Sequence, residues 1–266
     1  MTHDSTSPSK LRVCAVSYLN TVPLVWGMLH GDQRGLFDLE LAVPSECADR
    51  LERGTADIGI VPAVEVPRLG LQIIPGAGIA CREAVRSILL VSKVPFEDIR
   101  LLAADTNSRT SVQLARILLA RRHGARPRLL PHAPDLAAML EAADAALIIG
   151  DPALRVDIAR LHYYWSDLGA EWTSSTGLPM VFAVWAGRKE CVTPELAQPF
   201  LASCRFGIEH LDDIVRAESV SRGFPPAFIR QYLTHNLRLE LGEAEYKGLD
   251  LFLRYAAELG AEQAAC

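Results

Sequence analysis

Short apolar runs of strand length alternate with amphipathic stretches of helical period through the first two thirds of the chain. Residues 11–17 (LRVCAVS) and 39–44 (LELAVP) read as strands, with a helix over 22–30 between them. A second helix follows, with Ser45 as its expected N-cap and Gly54 as its stop. DIGIVP at 57–62 predicts a third strand, and LQIIPG and GIACR predict two more. The cycle then restarts after VRSILLVSK with a strand over 99–105 (IRLLAAD), a strong amphipathic helix over 108–122 and a strand over 145–151 (AALIIGD). From about residue 193 the pattern is helical only, over 194–209, 211–221, 225–234 and 242–259.

Such alternation predicts an α/β architecture with a largely parallel sheet. Two α/β units follow one another with no linker and no internal repeat, which predicts two lobes joined by crossing strands, with a cleft between them. This order fits the bilobed type II periplasmic-binding-protein architecture, and LERGTADIGIVPA, a helix stop followed by a short strand, supports it. Residues 1–95 and 185–266 are then expected to form lobe I, with a helical C-terminal part, and residues 96–184 lobe II.

Composition narrows the function. Half of the 266 residues are apolar and the net charge is −5. The only basic cluster, ARRHGARPR at 120–128, reads as a helix end and loop, so nucleic acid is not an expected partner. MTHDSTSPSK lacks the apolar core of a secretion signal, which predicts a cytoplasmic protein. The longest uncharged apolar stretch, GLPMVFAVWAG at 177–187, is about half of what a bilayer requires and reads as a buried strand, so no membrane association is expected. Cysteines at 14, 47, 81, 191, 204 and 266 form no CxxC pair and the seven histidines show no ligand spacing near them, so neither metal nor disulfide is expected. A homodimer is compatible with the chain.

Candidate chemistry sits where predicted strands end, the place where open α/β sheets bind ligands. After the first strand come Ser17, Tyr18, Asn20 and Thr21; Asn20 either offers a donor and an acceptor to a ligand or caps the next helix. Arg86 and Ser87 open another strand, Arg86 either clamping a carboxylate or snorkelling at the surface. Thr106, Asn107, Ser108, Thr110 and Ser111 crowd the start of the long helix, a natural seat for an anion. Gly150 allows close backbone approach, and Asp151 is either a general base or an N-cap. A fifth polar turn over 173–177 contains Thr176 and Gly177. No GxGxxG follows the first strand, and GxxxxGK[ST], GxSxG and HExxH are absent, which removes the usual support for nucleotide, hydrolase and zinc chemistry.

Six segments, VSYLNTVPLVWG, GTADIGIVPAVE, VRSILLVSK, SRTSVQLARILL, AALIIGDPAL and DLGAEWTSSTGLPMVFAVW, run in order from residue 16 to 185. Through them the chain resembles the chorismate dehydratases of the futalosine route to menaquinone. The resemblance implies a cofactor-free, cytoplasmic enzyme whose small-molecule substrate is chorismate, converted to 3-[(1-carboxyvinyl)oxy]benzoate. It implies that Thr110 and Ser111 hold one carboxylate, with Ser87 and Arg86 near the substrate, Ser17, Gly150, Thr176 and Gly177 along the cleft, and Asn20 at the reacting centre. The proton acceptor is either Asp151 or the substrate's own enolpyruvyl carboxylate. Ala63 stands where the family's pattern has Ser, with Glu65 retained as a structural residue. SYLNT and TGLPMVFAVW favour the dehydratase over the sister enzyme that makes 1,4-dihydroxy-6-naphthoate. A solute receptor would need an export signal, and a ligand-sensing regulator would need a DNA-binding segment for which ten polar residues leave no room.

Overall fold

The structure, a computed structural model, describes residues 10–105 and 108–264, with side chains through residue 262. The chain opens with β1 (Arg12–Val16), α1 (Val22–His30), β2 (Asp38–Ala42), α2 (Pro44–Glu52), β3 (Ile58–Pro62), the short α3 (Glu65–Leu69) and β4 (Gln72–Cys81). It then crosses to a second sheet with β5 (Ile88–Ser92), β6 (Leu101–Asp105), α4 (Arg109–His123), β7 (Arg128–His132), α5 (Leu136–Ala142), β8 (Ala145–Ile149), α6 (Gly150–Leu154), β9 (Tyr164–Asp167) and α7 (Leu168–Thr176). Finally β10 (Met180–Gly187) returns to the first sheet, followed by α8 (Ala197–Glu209), α9 (Leu211–Arg222), α10 (Pro226–Gln231), β11 (Arg238–Glu240) and α11 (Glu243–Ala264).

Strand order is β11-β4-β10-β3-β1-β2 in the first sheet and β7-β6-β8-β5-β9 in the second. Each contains three parallel strands, β2-β1-β3 and β7-β6-β8. Beside them lies the strand that has just crossed from the other half, β10 or β5, and it runs antiparallel. The sheets are therefore mixed rather than largely parallel. A crossing chain arrives at the end where the parallel strands finish, so it can only run back along them. Both crossings also come earlier than expected: sheet membership changes between Cys81 and Ile88 and between Asp167 and Met180, not at residues 95 and 184.

Other local expectations are corrected. LQIIPG and GIACR are one ten-residue strand, because the pairing with β10 shifts register and absorbs Pro75 and Gly76. Val43, not Ser45, is the N-cap of α2, with Pro44 opening the helix, a position to which its fixed φ is suited. Residues 173–176 end α7 instead of forming a turn. The C-terminal region is not wholly helical: β11 pairs with β4 at the sheet edge. β5 and β8 are buried on both faces, with Leu90 and Ile149 in the main core and Leu89 and Ile148 in a smaller cluster under α5. Among the described residues no helix is long and apolar enough to cross a membrane.

Candidate active site

The C-terminal ends of the parallel strands of both sheets face a common cleft with about 510 Å³ of empty space, part of it open to solvent. Its walls are mostly apolar, with Val16, Ile60, Pro62, Ile79, Ile149 and Phe182 among them. Tyr18, Asn20, Ser87, Ser108 and Ser111 bring the polar side chains. Among the described residues, no charged side chain lines it.

The junction after β1 divides its labour. Ser17 is exposed and its amide extends the sheet to Ala42 O at 2.9 Å. Leu19–Thr21 form a 3₁₀ turn leading into α1, whose N-cap is Thr21 with no side-chain cap bond. Asn20 is thus not the cap. Its Oδ1 accepts from Thr21 Oγ1 at 3.2 Å. Tyr18 is half-buried, and burial pushes its phenol well above the usual tyrosine range, with the carboxylates of Asp105 and Asp151 adding to the shift.

Ser87 is 1% exposed. Its carbonyl accepts from the amide of Gly150 at 2.8 Å, and its Oγ accepts from the hydroxyl of Tyr232 at 2.9 Å. Tyr232 begins a π-helical turn (Tyr232–Asn236) after α10, and the periodicity of the C-terminal helices marks it only as core.

At the start of α4, Ser108 is the N-cap; its Oγ accepts from Ser111 N at 3.3 Å and donates to Ser111 Oγ at 2.9 Å. Thr110 is fully buried, is not among the cleft-lining residues, and accepts from Val64 N at 3.3 Å. Arg109 beside it donates to Glu65 at 2.9 Å and Asp49 at 2.7 Å, so Glu65 serves structure and the helix start is fastened to α2 and α3. Ala63 is fully buried, its amide donating to Phe182 O at 2.9 Å. Thr106 and Asn107 lie outside the described residues.

The remaining candidates stand outside the cleft lining, except Gly150. This glycine has φ +62, and a Cβ there would meet the Tyr18 ring at 2.7 Å. Asp151 accepts from Leu19 N at 3.1 Å and pairs with Arg222, which in turn donates to Ser17 O at 2.9 Å. The pair latches the SYLNT loop to the second sheet, and Arg222, on α9, carries no sequence signal of that role. Arg86 spends its guanidinium on the carbonyls of Ala153 (3.0 Å) and Val156 (2.6 Å), and burial lowers its pKa. Thr176 and Gly177 end α7: Thr176 Oγ1 donates to Trp172 O at 2.9 Å and Gly177 adopts the left-handed conformation. No group of three potential metal ligands occurs among the described residues.

Chemically, the cleft offers neutral donors at fixed positions in apolar surroundings, where a hydrogen bond to a developing charge is stronger than in water. The chorismate dehydratase of Thermus thermophilus is 31% identical over 229 residues, 79% of this chain and 83% of that protein. A protein of Archaeoglobus fulgidus matches in structure with a TM-score of 0.71 at 19% identity, covering 97% of this chain and 98% of its own. The periplasmic aliphatic sulphonate binding protein of Escherichia coli gives 0.65 at 16% identity, over 97% of this chain and 89% of its own. These two structures speak for the fold alone, two α/β lobes around a cleft, the periplasmic-binding-protein fold. The family model for menaquinone biosynthesis matches residues 11–258, nearly the whole chain. This chain belongs to the menaquinone biosynthesis family.

Proposed function

We propose that the protein is a chorismate dehydratase, a hydro-lyase that forms 3-[(1-carboxyvinyl)oxy]benzoate and water in the futalosine route, in the cytoplasm. The observation that carries this reading is the make-up of the cleft: neutral donors on apolar walls, beside a helix start suited to a carboxylate. Chorismate has two carboxylates, and Ser108 and Ser111 at the N-terminus of α4 suit one of them. Asn20 and Ser87 then face the reacting ring.

The elimination removes a proton from the ring carbon bearing the enolpyruvyl ether and a hydroxyl from its neighbour. The C–H electron pair completes the aromatic ring, so the electron count closes without oxidant or reductant. Aromatisation supplies the driving force, and the protein has chiefly to hold both reacting bonds in line. The described lining residues include no carboxylate, imidazole or amine. The substrate's enolpyruvyl carboxylate takes the proton on this reading, while Asp151 holds the loop. The two sheets act as lobes, residues 10–81 with 180–264 and residues 88–167, whose closure expels water from around the donors.

The test is incubation of the purified protein with chorismate, followed by chromatography, mass and ultraviolet absorbance. A species lighter by one water, aromatic and absent from the enzyme-free control, is expected. Binding without turnover would instead indicate a receptor, and neither binding nor turnover would favour the sister naphthoate-forming enzyme.

A further inference from the structure

Beneath the cleft lies a polar side chain that the reaction as described does not use. Tyr232 is 1% exposed, yet its hydroxyl reaches Ser87 Oγ at 2.9 Å. The turn that carries it is docked at both ends on the segment before β5, because Asn236 Nδ2 donates to Ala84 O at 2.8 Å. A π-helical turn holds about one residue more than an α-turn, which brings residues four apart onto one face. That geometry lets Tyr232 and Asn236 grip the segment Ala84–Ser87 together.

The direction of the bond to Ser87 follows from counting protons. The phenol has one proton, and it goes to Ser87 Oγ. Ser87 Oγ, having accepted that bond, has its own proton left to donate, and Ser87 lines the cleft. We infer that Tyr232 is a positioning residue: its hydroxyl, held from beneath the cleft, donates to Ser87 Oγ and so turns the Ser87 hydroxyl into a fixed donor toward the substrate. Donors in series polarise one another, and one oriented before the substrate arrives needs no reorganisation during the reaction. Burial raises the Tyr232 phenol well above the usual tyrosine range, so the proton stays in place at neutral pH.

The assignment rests on the proposed dehydratase reaction, and wild-type turnover of chorismate is the reference in every assay. Tyr232→Phe keeps the ring and removes one oxygen. It is expected to lower kcat by about ten- to hundredfold with KM within about threefold of wild type. Ser87→Ala is expected to lower kcat as well, and adding Tyr232→Phe to it should cost almost nothing more, since the relay is already broken. A Tyr232→Phe variant with lower Tm but unchanged kcat would make Tyr232 purely structural, and a loss of kcat that multiplied with that of Ser87→Ala would place its action elsewhere; either result overturns the assignment. Should Tyr232→Phe not fold, Asn236→Ala unseats the turn without touching the cleft. It must then lower kcat at constant KM, and an unchanged kcat overturns the relay. Wild-type protein that leaves chorismate untouched refutes the proposed function itself, and this assignment falls with it.

Discussion

Replacing Gly150 by Ala strains the backbone and crowds the cleft wall at the same point. Its φ of +62 is in the left-handed region, where a side chain costs about 1–2 kcal/mol. A Cβ there lies 2.7 Å from Tyr18 Cε2 and 2.9 Å from Cδ2. Carbon atoms in contact settle about 3.5–4.0 Å apart, so the ring must retreat by roughly 0.8 Å or more, and overpacking of this order costs about 1–3 kcal/mol. Together the two effects destabilise by roughly 2–5 kcal/mol, which lowers Tm by about 5–15 °C in a chain of this size. Gly177→Ala separates the contributions. Its φ is +70 but nothing lies within 4 Å of its Cβ, so only the backbone cost remains, about 1–2 kcal/mol. Thermal melts of the two variants, with chorismate kinetics, make the comparison. Because Tyr18 lines the cleft, Gly150→Ala should also raise KM several-fold, while Gly177→Ala leaves it unchanged. Equal melting temperatures for the two variants, or a wild-type KM for Gly150→Ala, would refute the packing of Tyr18 on Gly150.

Asn20→Ala should reduce turnover by about a hundredfold or more while Tm moves little, because α1 takes no cap bond from Asn20; undiminished turnover would remove Asn20 from the reacting centre. Asp151→Asn keeps an acceptor for Leu19 N but loses the charge facing Arg222. It should cost about 1–3 kcal/mol of stability by urea melts and less than about tenfold in kcat, whereas a thousandfold loss at constant Tm would identify Asp151 as the base. Acid sensitivity has a named source in Asp57, which hydrogen bonds from Arg12 and Arg188 hold at about 2 against an ordinary 3.8. A carboxylate lowered on folding contributes stability above its unfolded value and loses it as pH falls toward the folded one, here between about pH 4 and 2. Asp57→Asn should therefore be less stable than wild type at pH 7 and decline less steeply into acid in urea melts; parallel curves would dissociate Asp57 from the acid limb.

The polar junctions were legible for a physical reason. Side chains such as Asn20, Ser87, Ser108 and Ser111, placed where buried strands end, need partners, and the end of a parallel strand is where a cleft forms. Arg86 and Thr110 satisfied the same rule and yet serve other ends, Arg86 holding the carbonyls after α6 and Thr110 the amide of Val64. Their type and position in sequence do not differ from those of groups that line the cleft. Only the partner that the tertiary structure brings to each side chain separates the two sets.

Periodicity by itself determined most of the helices, the buried strands and the two-unit order, because each depends on neighbours a few residues away. Tertiary structure decided sheet membership and the cast of the cleft. Ser87 meets Tyr232 across 145 residues of chain, and Arg222 meets Ser17 across 205. Contacts at such separations are set by how the crossing strands close the two sheets on each other, and no local pattern of apolar and polar positions encodes that closure.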